Sequence, residues 1–139
     1  MTRDFIKAGL GIVARSSKTI IASVDDDGFP NLKAMLQPRE HDELKVFYFT
    51  TNTPSMRVKQ YLKNPKASIY FYDTRFFKGL MLRGTMEVLQ DQDTKDRIWR
   101  DGDNMYYSLG VTDPDYCVLK FTALNGRMYD NFKSYDFEV

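Results

Sequence analysis

Between residues 46 and 73, in the run VFYFTTNTPSMRVKQYLKNPKASIYFYD, hydroxyl groups and a guanidinium gather where the chain is set to change from strand to helix. Thr50, Thr51, Thr53 and Ser55 carry the hydroxyls, and Arg57 and Lys59 follow in the first helical turn. Free backbone N–H groups at a helix start attract anions, and a guanidinium can grip two phosphate oxygens while staying charged at any working pH. The chemistry open to this cluster is phosphate binding. Arg57 is the expected main contact, with Ser55 and Thr51 adding hydroxyl donors, whereas Lys59 reads as a solvated helix lysine.

Two strands must flank this turn. Val46, Phe47, Tyr48 and Phe49 lead into it along a strand expected over 44–50, helical periodicity runs from Ser55 to Lys63, and Asn64-Pro65 ends the helix before a second apolar run from Ala67 to Tyr72. Elsewhere strands dominate. A short amphipathic helix opens the chain, and a β-branched run from Thr19 to Val24 returns through an Asp25–Gly28 turn into 31–37, which is a hairpin. Glu40 to Lys45 reads as a charged loop and Gly79 to Leu89 as a long strand. A helix over 93–100 follows, and strands over 116–122 and 126–132 close the chain. Six or seven strands with few helices predict a mainly β fold, a closed or nearly closed antiparallel barrel.

Composition excludes several function classes. The 139 residues, 42% of them hydrophobic, suit one domain spanning 1–139. A net charge of +1 gives no global attraction to nucleic acid or an anionic membrane, so anion binding must be local. No export signal or membrane-length run is evident, and the single cysteine, Cys117, lies in an apolar strand; a cytoplasmic location is the expectation. Cys117 reads as buried filler, since no basic neighbour is visible to lower its pKa. His41, among Arg39, Glu40, Asp42 and Glu43, reads as solvated. The Asp25-Asp26-Asp27-Gly28 stretch fits a hairpin turn, because the later glutamate of a calcium loop is missing. No metal site, Ser-His-Asp set or carboxylate pair can be named, and the catalytic residues are unknown.

The pattern of a strand, two hydroxyls, Ser-x-Arg, Asn-Pro and a further strand resembles the pyridoxamine 5'-phosphate oxidase-like flavoproteins, most nearly their general stress protein 26 branch. Gly28-Phe29-Pro30 with Lys33, the Gly84 strand, Trp99 and Gly110-Val-Thr-Asp-Pro-Asp-Tyr116 extend the match over nearly the whole chain. The resemblance implies a split β-barrel of six or seven strands that binds flavin mononucleotide (FMN). It places the phosphate at Thr50, Thr51, Ser55 and Arg57, and the isoalloxazine ring along Lys33, Ala34 and Met35. It also implies a homodimer with FMN at the subunit interface, where Tyr129 approaches the flavin of the opposite subunit; barrel core or dimer contact is the other reading of Tyr129 and Phe132. Two departures stand out: Met56 replaces one of the two basic residues after the serine, and Gly79 stands where the oxidases carry a flavin-contacting glutamine.

The oxidases end in a segment that holds the substrate phosphate, and the ending NGRMYDNFKSYDFEV offers no clear equivalent. Pyridoxamine phosphate oxidation is therefore not expected. The resemblance implies instead an oxidoreductase passing electrons from a nicotinamide to a small acceptor through FMN. The alternatives are a flavin-binding stress or sensor protein without turnover, and a barrel that binds another cofactor such as a deazaflavin or haem.

Overall fold

A computed structural model describes residues 2–139. Helix α1 (Thr2–Arg15) turns one face inward, burying Ile6, Ile12 and Val13. It stops where Ser16 takes over: its one hydroxyl proton is shared between Ile12 O (2.7 Å) and Tyr72 O (3.0 Å), and its oxygen accepts from the Tyr72 N–H (3.1 Å). The strands follow as β1 (Lys18–Val24), β2 (Pro30–Leu36), β3 (Glu40–Asp42) and β4 (Val46–Asn52); after α2 (Met56–Lys63) come β5 (Lys66–Asp73) and β6 (Lys78–Leu89). Helix α3 (Gln92–Ile98), an irregular stretch with two short 3-10 turns, β7 (Tyr116–Asp130) and β8 (Lys133–Glu138) complete the chain.

All strands pair antiparallel in one eight-stranded sheet ordered β2-β1-β5-β6-β7-β4-β3, with β8 joining on β7. Strand β7 makes the split: residues 116–122 pair with β4 and residues 125–130 with β8, while β6 runs beside both halves. A register shift at Arg83/Gly84, opposite Ala123 and Asn125, lets the long strands bend between these roles. The inner faces of the strands bury Phe47, Phe49, Phe71 and Phe121 with Ile21, Ile69, Leu80 and Leu82. Each such side chain contributes on the order of 1.5–3 kcal/mol by leaving water. A smaller cluster of Ile98, Tyr107, Tyr116 and Val118 sits apart, with Tyr48, Leu89 and Trp99 packed against it.

The mainly β split-barrel expectation holds, with corrections. Among the described residues there are eight strands, and the ladder stays open, with β2 and β3 as its ends. Glu40–Asp42, expected in a loop, pairs with β4, although all three residues are exposed and leave no apolar alternation to read. The strand expected over 126–132 is the far half of β7, and the true last strand was missed. Its turn has no glycine or proline, since Asn131 and Phe132 themselves adopt positive φ (54° and 64°), and β8 buries Phe137 alone. The Asp25–Gly28 turn is a hairpin as expected: Asp25 N–H donates to Phe29 O (3.0 Å), and Gly28 takes a φ of 84° that suits a residue without Cβ. Among the described residues no helix is long and apolar enough to cross a membrane.

Candidate functional site

Strand β4 delivers alternate residues to opposite faces. Phe47, Phe49 and Thr51 are buried on the core side, while Tyr48 and Thr50 face the smaller cluster, where Thr50 meets the Tyr107 hydroxyl. The strand ends in a turn closed by Ser55 N–H to Asn52 O (3.0 Å). Ser55 then caps α2 from an extended conformation (φ −67°, ψ 156°), its Oγ accepting from Val58 N–H at 3.4 Å. The buried side of α2 is tied to β1: the Tyr61 hydroxyl donates to Ala22 O (3.0 Å), and Ser23 bonds Gln60.

On the mouth of this helix Arg57 donates through Nη2 to Thr51 Oγ1 (3.0 Å). Its Nε is buried with no partner, and among the described residues no carboxylate pairs with it. No acidic residue occupies the first turn of α2 either, so the positive end of the helix is uncompensated. Buried donors are nearly always satisfied in folded proteins, which makes an unpaired, aligned guanidinium beside a capping serine a place suited to an oxyanion. Thr51, Ser55 and Arg57 therefore form one group. Thr50 belongs to the other side of the strand.

The remaining expected residues lie elsewhere on the sheet. Tyr72, Gly79, Tyr129 and Ser134 form one cross-strand row, and Ala34, Ile20, Tyr70, Met81 and Arg127 form the next. Both rows face outward. They make an aromatic platform in which Tyr70 stacks with Tyr72 (6.2 Å) and meets Tyr129 edge-on (6.3 Å). A Cβ on Gly79 would stand 2.0 Å from Tyr70 Oη, so the tyrosine fills the space a larger side chain would need. Burial raises the pKa of Tyr70, with Tyr129 adding to it. Met35 points the other way into the core, and Lys33, on the same side as Met35, is exposed at the sheet edge.

Cys117 is fully buried, and burial pushes its thiol pKa up, as expected for filler. His41 lies over Phe47 (5.2 Å) with Nδ1 2.8 Å from Glu43 O, so it packs as well as meeting water. The sequence did not single out Tyr70 or Tyr107. The alternation of Ile69 and Phe71 with Tyr70 and Tyr72 carried a usable signal for the first, whereas nothing local marks the second.

A family model described as pyridoxamine 5'-phosphate oxidase matches residues 7–130. The chain belongs to this family. A pyridoxine/pyridoxamine 5'-phosphate oxidase of Rhizobium etli is 34% identical over 71 residues, which are 51% of this chain and 34% of that relative, so the chain matches about a third of the curated oxidase's length. A solved structure from Clostridium acetobutylicum, of a protein related to general stress protein 26 of Bacillus subtilis and placed in the pyridoxinephosphate oxidase family, superposes with a TM-score of 0.90. It is 40% identical, and the match covers 100% of this chain and 97% of that one. An FMN-binding member from Nostoc punctiforme shares the fold (TM-score 0.74) at 14% identity, covering 99% of this chain and 95% of that one. The family's split-barrel architecture is thus common to this chain and to relatives of widely different sequence.

Proposed function

We propose that the protein binds FMN as a homodimer and acts as an oxidoreductase between a nicotinamide and a small acceptor, without oxidising pyridoxamine phosphate. The observation that carries this is Arg57: a guanidinium oriented by Thr51 at a serine-capped helix start, with no carboxylate to neutralise it. That donor set fits a phosphate monoester, and the FMN-binding Nostoc relative has the same fold.

Bound flavin would supply two-electron transfer between nicotinamide and acceptor. The chain's own residues bind and orient. Arg57, Ser55 and Thr51 hold the phosphate, and Thr50 fixes the strand before it. Of the three expected β2 residues, Ala34 lies in the outward row where the ring would rest; Met35 turns into the core and packs behind that row, and Lys33, on Met35's side at the sheet edge, would reach only the ring's rim. Gly79 and Tyr129, under Tyr70, offer a flat outward surface. A single chain leaves this surface open to water: Tyr72 is 40% and Phe132 102% exposed. A second subunit covering the platform would exclude water from the ring and bury those aromatics, giving two equivalent sites per dimer.

The test is the visible spectrum of the purified protein with FMN, before and after NADH or NADPH under anaerobic conditions. Flavin absorption that bleaches with the nicotinamide, beyond a free-flavin control, is the expected result. Bound flavin that does not bleach means a carrier or sensor without turnover, and no binding sends the search to a deazaflavin or haem. Steady production of pyridoxal phosphate would overturn the exclusion of the oxidase reaction. A monomer that keeps tight flavin binding at low micromolar concentration would overturn the dimer.

A further inference from the structure

The turn bearing Thr51, Ser55 and Arg57 is held from outside its own strand and helix. Beyond Asn52 the N–H of Thr53 donates to Asp115 O at 2.7 Å, a contact between residues far apart in the chain. Asp115 is presented by a compact knot. The Asp113 carboxylate, 5% exposed, accepts from Asp115 N–H (2.9 Å) and from Leu109 N–H (3.1 Å), drawing both ends of the 109–115 loop onto one side chain. From beneath, Lys95, also 5% exposed, donates its Nζ to Asp113 O (2.9 Å) and lies over the Tyr116 ring (5.2 Å). The Tyr116 hydroxyl returns a hydrogen bond to Lys95 O (2.9 Å).

The other end of the same stretch is pinned to β4. Asp103 takes both guanidinium nitrogens of Arg39 at 2.7 Å and the N–H of Arg100 at 2.9 Å, with the two side chains only 8% and 6% exposed. Arg39 N–H in turn donates to Tyr48 O of β4 (2.7 Å). Between the two pins stands Tyr107, its N–H on Asp103 O (3.0 Å), its ring 4.9 Å from Tyr116 and its hydroxyl meeting Thr50. A lysine and two aspartates buried to this depth, each with its polar partners within the stretch 95–115 or at Arg39, cost desolvation that a merely connecting loop has no need to incur.

We infer that residues 95–115 form a clamp that sets the position of the phosphate turn, with Asp113 and Lys95 as positioning residues acting through the Asp115 carbonyl and the Thr53 N–H. The inference rests on the phosphate reading of Arg57 and deepens it. The clamp touches Thr50 and Thr53, on either side of the threonine that aligns Arg57. Loosening it lets Thr51 and Arg57 drift relative to Ser55, so the phosphate grip weakens while ring contacts on the platform, which the clamp does not touch, stay as they were.

The experiment compares the affinities of FMN and riboflavin, which differ by the phosphate, for the full-length protein and for Asp113→Asn. Expected is a rise in the FMN dissociation constant of about five-fold, the worth of one hydrogen bond, with riboflavin unchanged. In an Arg57→Ala background the same substitution should have no further effect on FMN. Lys95→Met keeps the buried stem and removes the donor, and serves as the second variant should Asp113→Asn not fold; it should shift the FMN-to-riboflavin ratio in the same direction. Equal losses for both ligands, or no loss for either, would mean that the knot only stabilises the fold, and the inference falls. A wild-type protein that binds riboflavin as tightly as FMN would overturn the phosphate reading, and the clamp with it. Preference for FMN with an unmoved ratio in the variants would overturn the clamp alone.

Discussion

On the proposed reading, the phosphate corner and the aromatic platform would recognise their parts of the ligand in opposite ways. At the corner, donors are few, directional and tied down by buried side chains: Arg57 by Thr51, Thr53 by Asp115, and the loop behind them by Arg39 and Asp103. On the platform, Tyr70, Tyr72 and Tyr129 touch at ring distances of 6.2–6.3 Å. The two hairpin tips beside them carry Phe77 and Phe132, 91% and 102% exposed, each with a positive φ (57° and 64°). A charged group rewards fixed geometry because hydrogen bonds are steep in distance and angle, whereas a flat ring needs only area, which a second copy of the chain can supply. Positive φ at a bulky residue costs on the order of 1–2 kcal/mol, so the tips hold strain that the corner does not.

The largest expected effect breaks the corner. Arg39→Ala leaves Asp103 buried without its partner and should lower unfolding free energy by about 3–5 kcal/mol, read from the denaturant midpoint. Acid sharpens the same point. Burial pushes the Asp103 carboxyl up, but Arg39, the Arg100 N–H and the nearby charges prevail and hold it below its ordinary value. Its stabilising contribution is therefore complete above the unfolded value of about 3.9 and is lost as pH falls through the lower folded value. Asp103→Asn should make that acid limb of the stability profile shallower without abolishing it, because Asp73, held low by Arg75 and Arg15, contributes to the same limb, and an unchanged limb would mean that Asp103 has no share in it.

Next in size, Arg57→Ala should weaken FMN binding by about 1.5–3 kcal/mol while leaving the melting temperature nearly unchanged. Titration of both proteins followed by fluorescence decides it, and equal affinities would remove Arg57 from the site. On the platform, Gly79→Ala sets a methyl against Tyr70 and should cost about 1–3 kcal/mol of stability. Adding Tyr70→Ala should relieve most of that strain, and a double variant as unstable as the sum of the singles would show that the clash is elsewhere. Smallest, Phe132→Gly relieves a positive φ at a fully exposed side chain and should raise the stability of the free chain by about 0.5–1 kcal/mol, net of glycine's own entropy cost. In gel filtration the same variant should shift the protein towards monomer if this tip lies in a dimer contact.

Features written in neighbouring residues were legible beforehand. The strand, turn and capped helix around Ser55 need only alternation, a short polar run and a capping hydroxyl, all within a dozen or so residues. The Asp25–Gly28 hairpin and the burial of Cys117 are local in the same sense. Strand β8 escaped because an exposed edge strand with one buried residue has almost no period to detect, and because its turn uses Asn131 and Phe132 where glycine would have advertised it. Thr50 and Thr51 looked interchangeable as hydroxyl donors. Only the strand's alternation, anchored by Phe47 and Phe49 on the core side, separates them onto two faces.

From composition and local pattern come a mainly β chain, the phosphate-friendly turn and its arginine, because propensity, capping and charge act over a few residues. The long-range partnerships belong to the folded chain: Arg39 meets Asp103 across 64 residues, Thr53 finds the Asp115 carbonyl, and Tyr70 comes to lie over Gly79. Such contacts depend on strand order and register, since a one-residue slip in β5 against β6 would turn Tyr70 into the core and Ile69 out to water. That register is set by burying the whole inner face at once, a free energy summed over every strand of the sheet and carried by no single segment of the sequence.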